Sequence, residues 1–188
     1  MKTYEFSVVA SGLDPEDDAF EQRFYDVGCD DATISFQRGR IILDFAREAE
    51  SFDHALASAI VAVRAAGARV IRIEPDPLVS LADIAARVGM SRAAMTQYAK
   101  GQRGRGFPAP AVKVTSESPL WDWASVSAWL LAQDKVEPQQ VVEAELLKRA
   151  NEMLAGSNDA LRDSLGELAA AHAPRLASGD DEAAKKVA

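Results

Sequence analysis

Ser80-Leu-Ala-Asp-Ile-Ala-Ala-Arg-Val-Gly-Met-Ser-Arg-Ala-Ala-Met-Thr-Gln-Tyr-Ala-Lys100 carries the densest set of structural signals in the chain. Ser80 and Asp83 have the spacing of a capping box, with Asp where Glu is usual, and predict a helix over Leu81–Val88. Gly89 supplies the left-handed residue that ends it. Ser91 then caps a second helix over Arg92–Lys100, which Gly101 stops. Two helices joined so tightly must cross closely, so the contact positions have to be small or apolar. Ala85 allows the approach, and Ile84, Val88, Met90, Met95 and Tyr98 fill the space between.

The charges around this stretch are segregated. The chain has a net charge of −8, yet from Ile84 to Ser116 there is no Asp or Glu. The same window holds six basic side chains: Arg87, Arg92, Lys100, Arg103, Arg105 and Lys113. Residues 1–75 carry 8 basic and 14 acidic side chains, residues 76–133 carry 6 and 4, and residues 134–188 carry 7 and 11. Duplex DNA presents a phosphate charge every ~1.7 Å of its axis, so one basic face on an acidic protein is the pattern such a ligand requires.

Residues 80–100 resemble the DNA-binding helix-turn-helix family over the full length of its motif. The resemblance implies that the second helix lies in the major groove, N-terminal end first. Its outward positions are then Ser91, Arg92, Ala93, Thr96, Gln97 and Lys100. Arg92 suits a bidentate contact to guanine and Gln97 one to adenine, while Ala93 and the Thr96 methyl suit a thymine methyl. Ser91 with the helix N-terminus, and Lys100, suit phosphates.

Gly101-Gln-Arg-Gly-Arg-Gly106 matches neither a Walker A loop nor a dinucleotide fingerprint. It reads as a flexible basic loop beside the DNA backbone, with Arg103 and Arg105 suited to phosphate or minor-groove contacts. Ala111–Thr115 and Pro119–Trp121, separated by the polar Ser116-Glu-Ser118, predict a hairpin that carries Lys113. Asp122 caps a helix with Trp123, Val126, Trp129 and Leu130. Phe107-Pro-Ala-Pro110 ahead of the hairpin, with that tryptophan helix behind it, resembles winged helix-turn-helix proteins of the MerR, excisionase and AlpA-like type over residues 79–132. Trp121, Trp123 and Trp129 are expected in the core rather than on bases. The layout differs from full MerR proteins, which carry a long coiled coil and effector domain after the wing, so metal or drug sensing of that kind is not implied.

Upstream, Tyr4, Phe6, Val8 and Ala10 alternate with polar neighbours, a half-buried strand. Asp14-Pro15 predicts the start of a helix that places Phe20, Phe24 and Val27 on one face and ends at Gly28. Two strands, over Ala32–Gln37 and from Ile41, flank a tight turn at Arg38-Gly39. Ser51 caps a helix with Leu56, Ile60 and Val63 inward, ended by Gly67, and Arg69–Glu74 reads as a last strand with Ile71 and Ile73 inward. This β-α-β-β-α-β order resembles a ferredoxin-like fold, which says nothing about function by itself. Its open sheet face is the place expected to hold a dimer interface or an effector, small molecule or protein.

The expected architecture is therefore α+β: a ferredoxin-like dimerisation or sensing domain at 1–75, a winged helix-turn-helix domain at 78–133, an amphipathic helix at 137–155 and a mostly disordered tail at 156–188. Pro138 opens the C-terminal helix, whose apolar face suits its own domain or, preferably, its twin in a homodimer. No basic leader or apolar run of membrane-spanning length is present, so a soluble, cytoplasmic protein is expected. Cys29 is the only cysteine, and His54 and His172 are the only histidines, too few for a Cys/His zinc site. No cofactor is expected, no paired acid and base suggests an enzyme, and a Cys29–His54 nucleophilic pair has no supporting motif. The function expected is a bacterial-type, sequence-specific transcriptional regulator acting on double-stranded DNA. Rivals are a protein-interaction adaptor or antitoxin, and an excisionase-like factor that bends DNA.

Overall fold

A computed structural model describes residues 1–156. The expected tail lies outside the described residues. Strands β1 (Lys2–Ser11), β2 (Ala32–Gln37), β3 (Arg40–Ala49) and β4 (Arg69–Glu74) form an antiparallel sheet in the order β2-β3-β1-β4. Helices α1 (Phe20–Tyr25) and α2 (Phe52–Ala65) bury their apolar residues in one cluster with Tyr4, Phe6, Val8, Ile41, Leu43 and Phe45. The alternation in β1 and β3 therefore selects a single covered face. The β2–β3 turn places Arg38 at φ 50° and Gly39 at φ 76°, the two left-handed residues that a right-twisted two-residue hairpin needs.

Two local expectations are corrected. First, α1 begins at Phe20 and not at Pro15. The Asp14 carboxylate accepts from the Glu16 amide at 3.0 Å and the Asp17 carboxylate from the Ala19 amide at 3.0 Å. These local turns take the amides that a first helical turn would need filled. Second, β4 turns Val70 and Ile73 inward in place of Ile71 and Ile73. Its register on β1 shifts between Val9 and Ala10, and a bulge of one residue inverts the alternation on one side of it. Strand β3 also carries a charge on its covered face. Arg47 is buried and makes a bidentate pair with Asp31 at 2.7 and 2.8 Å. It also donates to the Gly28 carbonyl and, at 3.2 Å, to Ser58. Each of the three guanidinium nitrogens has a partner, which is what makes a buried ion tolerable.

The second half builds a separate apolar cluster. It contains Val79, Ile84, Ala85, Met95, Tyr98, Trp121, Trp123, Val126 and Leu130. Strand β5 (Leu78–Val79) pairs with β6 (Trp121–Asp122), and helices α3 (Leu81–Arg87), α4 (Arg92–Ala99) and α5 (Trp123–Leu131) pack beside them. Helix α6 (Pro138–Leu154) then belongs to both clusters, with Leu147 in the first and Ala144 in the second. The Asn151 side chain accepts from the Ile73 amide at 2.9 Å and donates to the Ile73 carbonyl at 3.0 Å, closing the free edge of β4 as a strand would. Part of the α6 face expected to meet a twin is thus used within the chain, and Met1–Leu154 form one compact unit.

At the start of α5, Asp122 caps the helix and pairs with Lys148 of α6 at 2.9 Å. Burial pushes the Asp122 carboxyl up, but hydrogen bonds from Ser125 and Lys148 outweigh it and the net displacement is downward; the bond that Lys148 donates to Asp122 also holds Lys148 up. The contribution of Asp122 is therefore complete above pH ~3.9 and is lost as pH falls through its lower folded value. That of Lys148 is complete below pH ~10.4 and is lost as pH rises through its higher one. With both groups partly solvated the pair should contribute under about 1 kcal/mol. Asp122→Asn should remove that much at neutral pH and nothing below the folded Asp122 transition, measured by urea unfolding across pH.

Candidate nucleic-acid interface

The Ser80–Asp83 capping box forms. Ser80 Oγ accepts from the Asp83 amide at 3.2 Å, and the Asp83 carboxylate accepts from the Ser80 amide at 2.8 Å. Hydrogen bonds from Ser80 hold the Asp83 carboxyl below its usual range, so the acid at the N-terminal edge of the basic window is already engaged. Ile84 and Met95 are fully buried between α3 and α4, as the spacing predicted. The turn is closed by the Met90 amide on the Ala85 carbonyl at 2.8 Å.

Helix α4 exposes Ser91, Arg92, Ala93, Gln97 and Lys100, while Thr96 is half-buried. Two hydroxyls are occupied by their own helix. Ser91 Oγ accepts from the Ala94 amide at 3.2 Å, and Thr96 Oγ1 donates to the Arg92 carbonyl at 2.9 Å. Thr96 therefore has its methyl to offer but not its proton, and Ser91 acts as a cap.

The loop after α4, expected as a basic segment beside DNA, contacts the fold at several points. The Gln102 and Arg103 amides both donate to the Gln97 carbonyl, at 2.9 and 3.2 Å. Trp129 Nε1 donates to the Arg105 carbonyl at 2.9 Å. Gly104, at φ 67°, lies against an aromatic cluster: a Cβ there would stand 3.1 Å from Tyr98 and 3.3 Å from Trp129. The Tyr98 and Trp129 centroids are 5.1 Å apart, and Phe107 lies 5.1 Å from Trp129. The Gly-rich run thus lets the backbone press onto rings while Arg103 and Arg105 project outward. The Arg103 guanidinium sits 5.1 Å from the Tyr98 ring centre.

The expected hairpin is reduced to one bridge, Val112 with Leu120, because Trp121 and Asp122 pair with β5 instead. Lys113 stands just beyond the bridge, exposed, at φ 54°. Of the tryptophans expected in the core, Trp121 and Trp123 are buried and Trp129 is half-buried against the same cluster, and Trp121 Nε1 donates to the Pro108 carbonyl at 3.1 Å.

Arg87 departs from the rest of the basic window. Its place in the sequence groups it with the phosphate-holding side chains, but its guanidinium lies half-buried 5.0 Å from the Trp123 ring centre and donates to the Asp76 carbonyl at 2.9 Å. Burial lowers its pKa. Its position on α3 gives no sign of this, because the partner carbonyl comes from the connector before β5. The other five cations differ. Ion pairs among the described residues engage Lys2, Arg23, Arg47, Arg72, Lys148 and Arg149, and none includes Arg92, Lys100, Arg103, Arg105 or Lys113. Five cations with no competing carboxylate are available to phosphate oxygens.

Other chemistry is placed unfavourably. Cys29 is fully buried and burial pushes its thiol up to about 11, whereas His54 is exposed beside Glu50 on α2. Among the described residues no group of three or more His, Cys, Asp or Glu is placed to share a metal ion, and no helix is long and apolar enough to cross a membrane. No family model, curated protein or solved structure matches the chain.

Proposed function

We propose that this chain is a cytoplasmic, sequence-specific DNA-binding regulator of transcription, with a ferredoxin-like first half and a winged helix-turn-helix second half. The strand order β2-β3-β1-β4 with α1 and α2 in one core supports the first assignment. The short turn between α3 and α4, and a wing cut down to the Val112–Leu120 bridge, support the second. The observation that carries the reading is that α4 and the loop after it present Arg92, Gln97, Lys100, Arg103 and Arg105 outward in a window without acids.

In this reading the cations capture DNA through its phosphates, and α4 enters the major groove. Arg92 reads guanine and Gln97 adenine, each through two hydrogen bonds, while Ala93 and the Thr96 methyl pack on thymine methyls. Lys100, Arg103, Arg105 and Lys113 hold the backbone and carry no sequence information. A homodimer would present α4 twice to a two-fold operator, at half-sites ~34 Å apart.

Arg92→Ala should reduce discrimination between the preferred site and unrelated DNA by about 1–3 kcal/mol and leave affinity for unrelated DNA nearly unchanged. Selection of duplexes from a random pool by the full chain, followed by competition binding, tests both statements. Recovered sequences with no shared element, or equal discrimination by Arg92→Ala, would contradict the assignment.

A further inference from the structure

We propose that the groove between α2 and α6 is the docking surface for a second copy of this chain, with α2 packed antiparallel on its twin. Such a dimer is independent of the DNA reading, although it would supply the two-fold partner that reading uses. The groove holds about 520 Å³ and is lined by Leu56, Ile60, Val61, Leu146, Met153 and Leu154. Val61 is 67% exposed and Met153 82% exposed, an apolar stripe left uncovered among the described residues, beside two filled cores.

The occupant is indicated by the order of residues along α2. Asp53, Ala57, Ile60, Val61 and Arg64 all line the groove, at steps that keep them on one side of the helix. About a point between Ser58 and Ala59, this stripe complements itself when reversed. Asp53 then faces the twin's Arg64, Ala57 faces Ile60, and Leu56 faces Val61. Asp53 and Arg64 are ~16 Å apart along the axis, so both charge pairs form together at the two ends of the contact. Ala57 at the centre lets two helices approach closely. Helix-dipole preference explains an acid in the first turn and a base in the last, but not why both share the apolar side. Neither Asp53 nor Arg64 has an ion-pair partner among the described residues.

The open sheet face is the poorer surface for the same purpose. Its depression is lined by Glu5, Asp44 and Glu74, and a two-fold copy would bring like charges together.

Light scattering on the eluting full-length chain tests the proposal. The wild type should be a dimer, and Val61→Glu should weaken association at least ~10-fold with the melting temperature of the monomer little changed, because the position is exposed in a single copy. Asp53→Arg and Arg64→Asp should each weaken association similarly, since each sets like charges opposite one another, while the double exchange Asp53→Arg/Arg64→Asp should restore it. A monomeric wild type would overturn the proposal. So would a dimer that survives all these changes, which would put the second copy elsewhere, such as the unpaired edge of β2. A dimer behaving as described but showing no DNA binding would sink the regulator reading and leave this interface standing.

Discussion

Trp123→Ala should lower the stability of the chain by about 3–5 kcal/mol, as expected when a large aromatic is removed from a packed core. Trp123 is buried in the cluster that includes Val79, Ile84, Ala85 and Met95, so its loss leaves a cavity touching both α3 and α5. The substitution also strips the ring from beneath Arg87, whose Nη1 is buried without a hydrogen-bond partner. A half-buried guanidinium would then face a void, and that desolvation cost adds to the cavity. Trp129→Ala should cost less, because Trp129 is only half-buried. Urea unfolding of the two variants checks the order. A loss below ~1 kcal/mol for Trp123→Ala would show that the second core is not assembled as described.

Joint replacement of Lys100, Arg103 and Arg105 by alanine should reduce affinity for any duplex by ~10³-fold at ~50 mM salt. Each phosphate contact adds about 0.9 to the slope of log affinity against log salt, so removing three of them forfeits about 3.5 log units between ~1 M and ~50 mM. The slope itself should become shallower by about 2.7. Stability should change by less than ~1 kcal/mol, since only the stacking of Arg103 on Tyr98 is forfeited within the fold. Titration of labelled DNA at several salt concentrations reads both quantities. Unchanged affinity would show that the loop after α4 does not touch the backbone.

Much of the fold was legible where local chemistry and tertiary packing agree. The Ser80–Asp83 box, the apolar spacing from Ile84 to Tyr98 and the Arg38–Gly39 turn each have one low-energy solution, and each appears as read. The failures fall where a distant partner decides, or where two local solutions compete. Asp14 and Asp17 have the chemistry of helix-starting residues, yet their carboxylates close local turns instead. The inward residues of β4 depend on a bulge opposite β1 that no alternation within Arg69–Glu74 reveals. Arg47 and Arg87 look like surface cations in sequence, yet one is buried on Asp31 and the other lies half-buried over Trp123. The wing is shorter than its sequence suggests because Trp121-Asp122 could pair with either of two strands, and β5 takes it. For the candidate site, exposure of Arg92, Gln97 and Lys100 followed from helical spacing. The engagement of the Ser91 and Thr96 hydroxyls did not, because a hydroxyl on a helix can turn to its own backbone or to solvent.

The measurement that bears most directly on the central claim is the salt dependence of duplex DNA binding by the full chain. Lys100, Arg103, Arg105 and Lys113 as phosphate contacts predict a linear fall of log affinity with log salt and a slope near ~−3.6, becoming ~−1.8 in Arg103→Ala/Arg105→Ala. Absence of binding at ~50 mM salt, or a slope that the double substitution leaves unchanged, would contradict the assignment of this basic window to DNA.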